Sequence, residues 1–73
     1  MIDYSLGRYI VKDASGRVVG RIDEDEFVRN GMKLLYRVDG DEFHIVNGGL
    51  VGFIDNGRVV SPQGALKFCI ESE

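Results

Sequence analysis

Four short segments of similar composition recur along the chain at a constant interval of 16 residues, at positions 19–23, 35–39, 51–55 and 67–71. The interval divides most of the chain into four units, 8–23, 24–39, 40–55 and 56–71. Equivalent positions are apolar in all four units, and an acid closes each one. The repeat predicts a single domain, residues 1–73, built from four copies of one supersecondary unit.

Three columns of apolar residues run through the units. They hold Val11, Phe27, Phe43 and Val59, then Val18, Leu34, Leu50 and Leu66, then Ile22, Val38, Ile54 and Ile70. Within a unit the apolar positions recur with a period of 2, which indicates strands rather than helices. Turn sequences such as Asn30-Gly31 and Asn47-Gly48 stand at the middle of the units, and Asn-Gly is the strongest short hairpin signal. Each unit is therefore predicted to be a β-hairpin, and the chain an all-β meander.

One position of the unit alternates between small and large residues, as Gly20, Tyr36, Gly52 and Phe68. Two rings beside two glycines can fill a common axis, whereas four rings cannot. The alternation predicts closure into a small pseudo-fourfold flower or barrel-like meander, with an open, twisted sheet as the alternative. The two rings would plug the core or stack on a planar ligand. Residues 1–7, with Ile2, Tyr4 and Leu6 in the apolar register, are predicted to add a half-unit strand that covers an edge.

Composition narrows the class of protein. The formal charge of −3 argues against binding nucleic acid through a basic face. No apolar stretch approaches the roughly 18 residues of a membrane span, and residues 1–7 do not resemble a signal peptide. Cys69 is the single cysteine, which fits a reducing compartment, so we expect a cytoplasmic location.

The repeat also resembles a known family. Glycine-turn hairpins that end in short segments such as residues 51–55, Val-Gly-Phe-Ile-Asp, resemble bacterial four-fold β-flower proteins over residues 8–71. The chain lacks the Tyr-Asp pair that the family repeats before the turn. In its place stand Lys12-Asp13, Val28-Arg29, His44-Ile45 and Val60-Ser61. The resemblance therefore implies the architecture and a bacterial or phage origin, and it implies neither a site nor an activity.

Most of the acids gather at one end of the predicted hairpins. The connections between units and the end of the chain hold ten of its 12 acidic residues, a set termed here the acidic rim. Its members are Asp23, Glu24, Asp25, Glu26, Asp39, Asp41, Glu42, Asp55, Glu71 and Glu73. Such a rim could dock a basic protein or hold a hard cation such as calcium. The plainer interpretation is that solvated turns are polar and that acids discourage edge pairing.

A second candidate surface is apolar. Val19, Leu35, Val51 and Phe53 are predicted to face outward, near Cys69. Gathered on adjacent hairpins, they would form a patch for self-association or for a partner, unless curvature of the hairpins buries them against their neighbours. His44 and Cys69 have no spacing that predicts a nucleophile–base pair, and both are interpreted as ordinary outward residues.

These features predict a non-enzymatic interaction module without a cofactor. It is expected to bind another protein, or itself, through the acidic rim or the outward apolar patch. The residues predicted for this interface are Asp23, Asp25, Glu26, Asp39, Asp41, Glu42, Asp55, Val19, Leu35, Val51 and Phe53. The alternative is a domain that binds a small ligand or a divalent cation through rim carboxylates or the axial aromatics. Neither nucleic acid nor a membrane is an expected partner.

Overall fold

The computed structural model describes residues 3–73, which form eight antiparallel strands and one short 3₁₀ helix (Tyr4–Leu6). The strands are β1 (Arg8–Asp13), β2 (Val18–Asp23), β3 (Phe27–Asn30), β4 (Lys33–Asp39), β5 (Glu42–Ile45), β6 (Leu50–Asp55), β7 (Arg58–Val60) and β8 (Leu66–Ser72). Each strand pairs with the next, and β1 also pairs with β8, so the sheet closes into a barrel. The predicted all-β fold of four hairpins closed into a barrel-like meander is confirmed, and the open-sheet alternative is wrong.

The meander gives the barrel two distinct ends. Each hairpin joins an odd-numbered strand to the even-numbered strand that follows it, so all four hairpin turns lie at one end, termed the turn end. The connections between hairpins, residues 24–26, 40–41 and 56–57, lie at the other, termed the connection end. The acidic rim belongs to the connection end.

The second hairpin departs from the 16-residue register by one place. Val28 pairs with Tyr36 in the way that Val11 pairs with Gly20 in the first hairpin. Val28 is completely buried, whereas Phe27 is only half-buried. The predicted position of Phe27 in the first core column is therefore wrong, and Val28 occupies it. Because a slip of one residue exchanges the two faces of a strand, Phe27 lies on the outer face of the barrel.

Two loop lengths produce this offset. The connection before β3 has three residues, 24–26, where the other two connections have two. The turn after β3 contains only Gly31 and Met32, and Gly31 has a φ of +63° that a residue with a side chain rarely adopts. The two central residues of this turn are thus Gly31-Met32 rather than the predicted pair Asn30-Gly31. The longer connection and the shorter turn compensate, so β4 returns to the register of the repeat.

Apolar and aromatic side chains fill the interior of the barrel. Its buried residues are Tyr4, Val11, Ile22, Val28, Val38, Phe43, Val59 and Ile70. At the centre, Tyr36 and Phe68 are in contact across the barrel, with ring centroids 5.0 Å apart. Phe43 completes the cluster, 5.0 Å from Tyr36 and 5.3 Å from Phe68. The two axial rings thus fill the barrel as the alternation of small and large residues predicts.

The glycines of that alternating position, Gly20 and Gly52, have a role in addition to the predicted one. A Cβ on Gly52 would lie 2.3 Å from the backbone oxygen of Val60, and a Cβ on Gly20 would lie 2.8 Å from that of Arg29. Both clashes are with the first strand of the next hairpin. Gly20 and Gly52 therefore allow β2 to approach β3 and β6 to approach β7, and they do more than leave space for the axial rings.

The start of the described chain forms a 3₁₀ helix instead of the predicted half-unit strand. Asp3 caps this helix by accepting a hydrogen bond from the Ser5 N–H. Tyr4 is buried and packs edge-to-face on Tyr9, while Leu6 is exposed. The pairing of β1 with β8 already covers the edge that a strand would have protected, and Ile2 lies outside the described residues. No helix within residues 3–73 is long and apolar enough to cross a membrane.

Replacing Tyr4 with phenylalanine is expected to lower the free energy of unfolding by about 0.5–1.5 kcal/mol, because the ring remains while a hydrogen bond to its oxygen is lost. Burial, with a smaller contribution from Tyr9, raises the pKa of Tyr4, and a hydrogen bond from the Gly57 backbone lowers that pKa in part. Because the pKa of Tyr4 is higher in the folded than in the unfolded protein, Tyr4 contributes stability at pH values below its unfolded pKa of about 10. That contribution is lost as the pH rises through the pKa that Tyr4 has in the folded protein.

Urea unfolding of the parent and of Tyr4→Phe, at about pH 8 and at about pH 11, measures both effects. The parent should lose more stability between the two pH values than the variant does. Leu6→Ala serves as the control, because Leu6 is 78% exposed and its removal should change little. Equal losses in parent and Tyr4→Phe would contradict the role given to the buried phenol.

Candidate functional site

A cleft of about 710 Å³ opens between the 3₁₀ helix and the second hairpin. Phe27 and Leu34 contribute apolar surface from the hairpin, and Tyr4 contributes it from the helix. The acidic residues that line it are Asp3, Asp25, Glu26 and Asp39. Arg29 is the one basic residue in the lining. This site, termed the acidic cleft, combines an apolar surface with an excess of carboxylates.

The acidic cleft is a consequence of the offset in the second hairpin. The other three hairpins bury the residue that the repeat aligns with Phe27, whereas the slip places Phe27 on the outer face. The three-residue connection supplies Asp25 and Glu26 beside it. The Asp25 carboxylate accepts a hydrogen bond of 3.0 Å from the Phe27 N–H, which fixes the connection against the start of β3. One irregularity of the repeat thus provides both the apolar and the acidic part of the cleft.

Ion pairs inside the acidic cleft are exposed and weak. Asp25 pairs with Arg29, and Arg37 lies 3.2 Å from Glu26 and 3.6 Å from Asp39. Every side chain in these pairs is at least 35% exposed, so each pair contributes about 0–1 kcal/mol. A ligand cation could therefore replace Arg37 at little cost.

Within the described residues, one buried polar atom of the acidic cleft lacks a hydrogen-bond partner, and one exposed carboxylate lacks an ion pair. The Arg29 Nε is buried and has no hydrogen-bond partner within residues 3–73. Asp3 has no ion pair with another described residue, and its carboxylate accepts hydrogen bonds from the Ser5 hydroxyl and N–H. These hydrogen bonds lower the pKa of Asp3, so the carboxylate stays ionised near neutral pH.

Ion pairs with five lysines and arginines offset part of the charge of the acidic rim, and the rim as a whole stays negative. Seven of its ten carboxylates form ion pairs with lysine or arginine, Glu42 contacts His44, and within the part of the chain that the structure describes Asp41 and Asp55 have no such partner. The partners are Arg8, Lys12, Arg21, Arg29, Arg37 and His44. Of the seven rim acids predicted for an interface, Asp25, Glu26 and Asp39 come together in the acidic cleft. Asp23, Asp41, Glu42 and Asp55 lie outside it.

The predicted outward apolar patch is interrupted. Val19 and Val51 are half-buried and pack against the core, so curvature of the hairpins covers both of them. Leu35 is also half-buried, and Phe53 is 44% exposed. A continuous patch of these four residues does not form.

The residues considered for metal binding or catalysis stand apart. Among residues 3–73, no group of three or more His, Cys, Asp and Glu side chains could hold a metal ion. His44 Nε2 lies 2.9 Å from Glu42 Oε1 on the same strand, within hydrogen-bond distance. Cys69 is half-buried on β8, opposite Arg58 of β7.

No protein-family model matches this chain, and no curated protein or solved structure is significantly similar to it. The resemblance to the four-fold β-flower proteins therefore stays a prediction. Any function has to be inferred from the chain's own residues, among which the acidic cleft is a sizeable concave site with an apolar and a charged part.

Proposed function

We propose that this protein is a non-enzymatic interaction module whose acidic cleft binds a basic segment of a protein partner. The observation that carries the proposal is the position of Phe27, a large aromatic residue placed on the outer face beside a row of carboxylates. Aromatic side chains that line a concave site, as the half-buried Phe27 does, are typical anchors of protein interfaces. We further propose a four-fold β-flower architecture and a cytoplasmic location, in keeping with the repeat.

The chemistry of the cleft defines the partner segment. An aliphatic or aromatic side chain would pack against Phe27 and Leu34, and flanking lysines or arginines would face Asp3, Glu26 and Asp39. The apolar contact would supply most of the affinity, and the carboxylates would supply specificity and a faster encounter. Because the ion pairs of Arg37 are exposed and weak, a partner's cation could take its place beside Glu26 and Asp39 without leaving a buried charge unpaired.

NMR titration of the full chain with two probe peptides tests this proposal. One peptide has lysines and arginines around a central Leu-Phe pair, and the other has glutamates in their place. The basic peptide should shift the backbone amides of Phe27, Leu34 and Asp39, and added salt should weaken its binding. The acidic peptide should leave these amides unchanged. Shifts of equal size with both peptides would contradict the proposal.

Replacing Phe27 with serine is expected to weaken binding of the basic peptide by about thirtyfold, because an interface anchor is worth roughly 2 kcal/mol. Phe53→Ser is the matched control, since Phe53 is an exposed phenylalanine of β6 outside the cleft. Calorimetric titration of both variants measures the difference. If Phe53→Ser weakened binding as much as Phe27→Ser, the cleft would not be the binding site.

A further inference from the structure

Most of the exposed apolar side chains lie at the turn end, and one of them, Leu34, also lines the acidic cleft. Eight large hydrophobic residues within residues 3–73 are exposed, and six of them belong to the turn segments 13–18, 30–34, 45–50 and 61–67. The six, termed the turn-end patch, are Val18, Met32, Leu34, Ile45, Leu50 and Leu66. An apolar concentration of this kind on a small domain usually marks an interaction surface.

The repeat itself produces the turn-end patch. Val18, Leu34, Leu50 and Leu66 hold the same position in the four hairpins and form a ring around the end of the barrel. In every hairpin the pairing skips one residue next to this position, as between Val18 and Gly20 in the first hairpin. The skipped residue is a β-bulge, and it turns the side chains of the second apolar column away from the core. The four side chains are between 38% and 48% exposed. Met32, in the shortest turn, and Ile45 extend the ring, at 102% and 50% exposure.

The charge of the turn end is opposite to that of the protein. Its four segments contain Arg17, Lys33 and Lys67 against one acid, Asp13, in a chain whose formal charge is −3. Asp13 accepts hydrogen bonds from Ser15 and from the Arg17 N–H. None of the three bases has an acidic partner within the described residues. The four turn segments therefore carry three bases and one acid, a net formal charge of +2, with the bases in the first, second and fourth hairpins.

We infer that the turn end binds the surface of an anionic lipid membrane. An anionic bilayer presents negative headgroups above an apolar interior, which matches bases that flank exposed aliphatic side chains. The six residues belong to all four hairpins, five at strand ends and Met32 in a turn, and a bilayer can accept such a dispersed set of side chains without a complementary groove. End-to-end contact with a second copy would instead bring three bases of each copy together, which like-charge repulsion disfavours.

This inference differs from the expectation that a membrane is not a partner. That expectation came from the negative net charge and the lack of a membrane span, whereas surface attachment needs only a local patch. Closure of the barrel separates the charges of the chain, with the acidic rim at one end and unpaired bases at the other. Repulsion of the acidic rim by the same lipids would orient the barrel, with the turn end toward the membrane.

Cosedimentation of the full chain with vesicles tests the inference. The probes are vesicles of phosphatidylcholine alone and of phosphatidylcholine mixed with phosphatidylserine. The protein should sediment with the mixed vesicles, remain in solution with the neutral ones, and be released by added salt. Failure to bind the mixed vesicles, or equal binding to both kinds, would overturn the inference. A dimer in sedimentation equilibrium that Met32→Ser abolishes, without vesicle binding, would assign the turn-end patch to self-association instead.

Substitutions at the turn end separate lipid binding from folding. Lys33→Gln and Lys67→Gln should each weaken binding to the mixed vesicles by about fivefold. Met32→Ser and Leu50→Ser should weaken it through lost apolar insertion. The matched controls are Arg58→Gln, a base in β7 without an acidic partner among residues 3–73, and Leu6→Ser, an exposed apolar residue near the connection end.

Both controls should bind the mixed vesicles like the parent, and thermal melts should confirm that all variants fold. Equal losses in Lys33→Gln and Arg58→Gln would show that only net charge matters, and the assignment of the turn end would then fail. None of these residues lines the acidic cleft, so binding of the basic peptide should persist in every variant. The two proposals can therefore fail independently.

Discussion

Replacing Phe43 with alanine is expected to remove about 3–5 kcal/mol of the free energy of unfolding. Phe43 is completely buried, and its ring contacts both axial rings, Tyr36 and Phe68. Truncation would leave a cavity at the centre of the barrel that the closed sheet cannot collapse to fill. A chain of 73 residues has a total stability of roughly 4–11 kcal/mol, so this variant would approach the limit of folding at room temperature.

Urea unfolding followed by circular dichroism measures the effect of Phe43→Ala. The control is Phe53→Ala, which removes the same side chain from an outer position that is 44% exposed. The control should lose about 1 kcal/mol or less of its free energy of unfolding, because the Phe53 side chain is not part of the core and its removal leaves no internal cavity. Similar midpoints for the two variants would mean that the three-ring cluster does not stabilise the barrel.

Replacing Gly52 with alanine is expected to cost about 3 kcal/mol or more, although it adds a single methyl group. The new Cβ would lie 2.3 Å from the Val60 oxygen and 3.0 Å from the Ser61 nitrogen. Both are backbone atoms that no side-chain rotation can move, so β6 and β7 would have to separate. For a domain of this size the loss corresponds to a fall of at least about 12 °C in Tm.

Gly49→Ala is the matched control for this second variant. A Cβ on Gly49 would meet nothing within 4 Å, and its φ is not in the left-handed region. Its Tm should stay within about 2–4 °C of the parent in calorimetry, as for other neutral surface changes. A Gly52→Ala protein that melts with the parent would refute the close approach of the two hairpins.

The repeat was sufficient to predict the fold because its signals are local. Turn glycines and period-2 alternation define each hairpin, and the alternation of Gly52 with Tyr36 and Phe68 indicated closure. The offset of the second hairpin was missed, although one signal was present. The turn glycine of that unit, Gly31, stands one place earlier than the turn glycines of the other units. Reading that shift would have placed Val28 in the core and Phe27 outside.

The acidic cleft and the turn-end patch were harder to predict because both depend on relations between segments. The cleft needs Tyr4 beside the second hairpin, and three alternating apolar residues fit a strand as well as a helix over so short a segment. The turn-end patch needs a register shift in each hairpin, which no residue type marks. Cross-strand pairs such as Arg8 with Asp23 offset part of the charge of the acidic rim, and their distances also follow only from the register.

Closure of the barrel also bears on how the chain folds. Seven of the eight strand pairings join neighbours in the sequence, and only the pairing of β1 with β8, as at Val11 and Ile70, joins residues far apart. The mean contact order of such a chain is low for an all-β protein, which favours rapid formation of hairpins. Pairing of β1 with β8 closes a long loop, which costs chain entropy. That cost is offset only when the remaining strands are in place. Formation of this seam is thus the step that converts four weak hairpins into one cooperative unit.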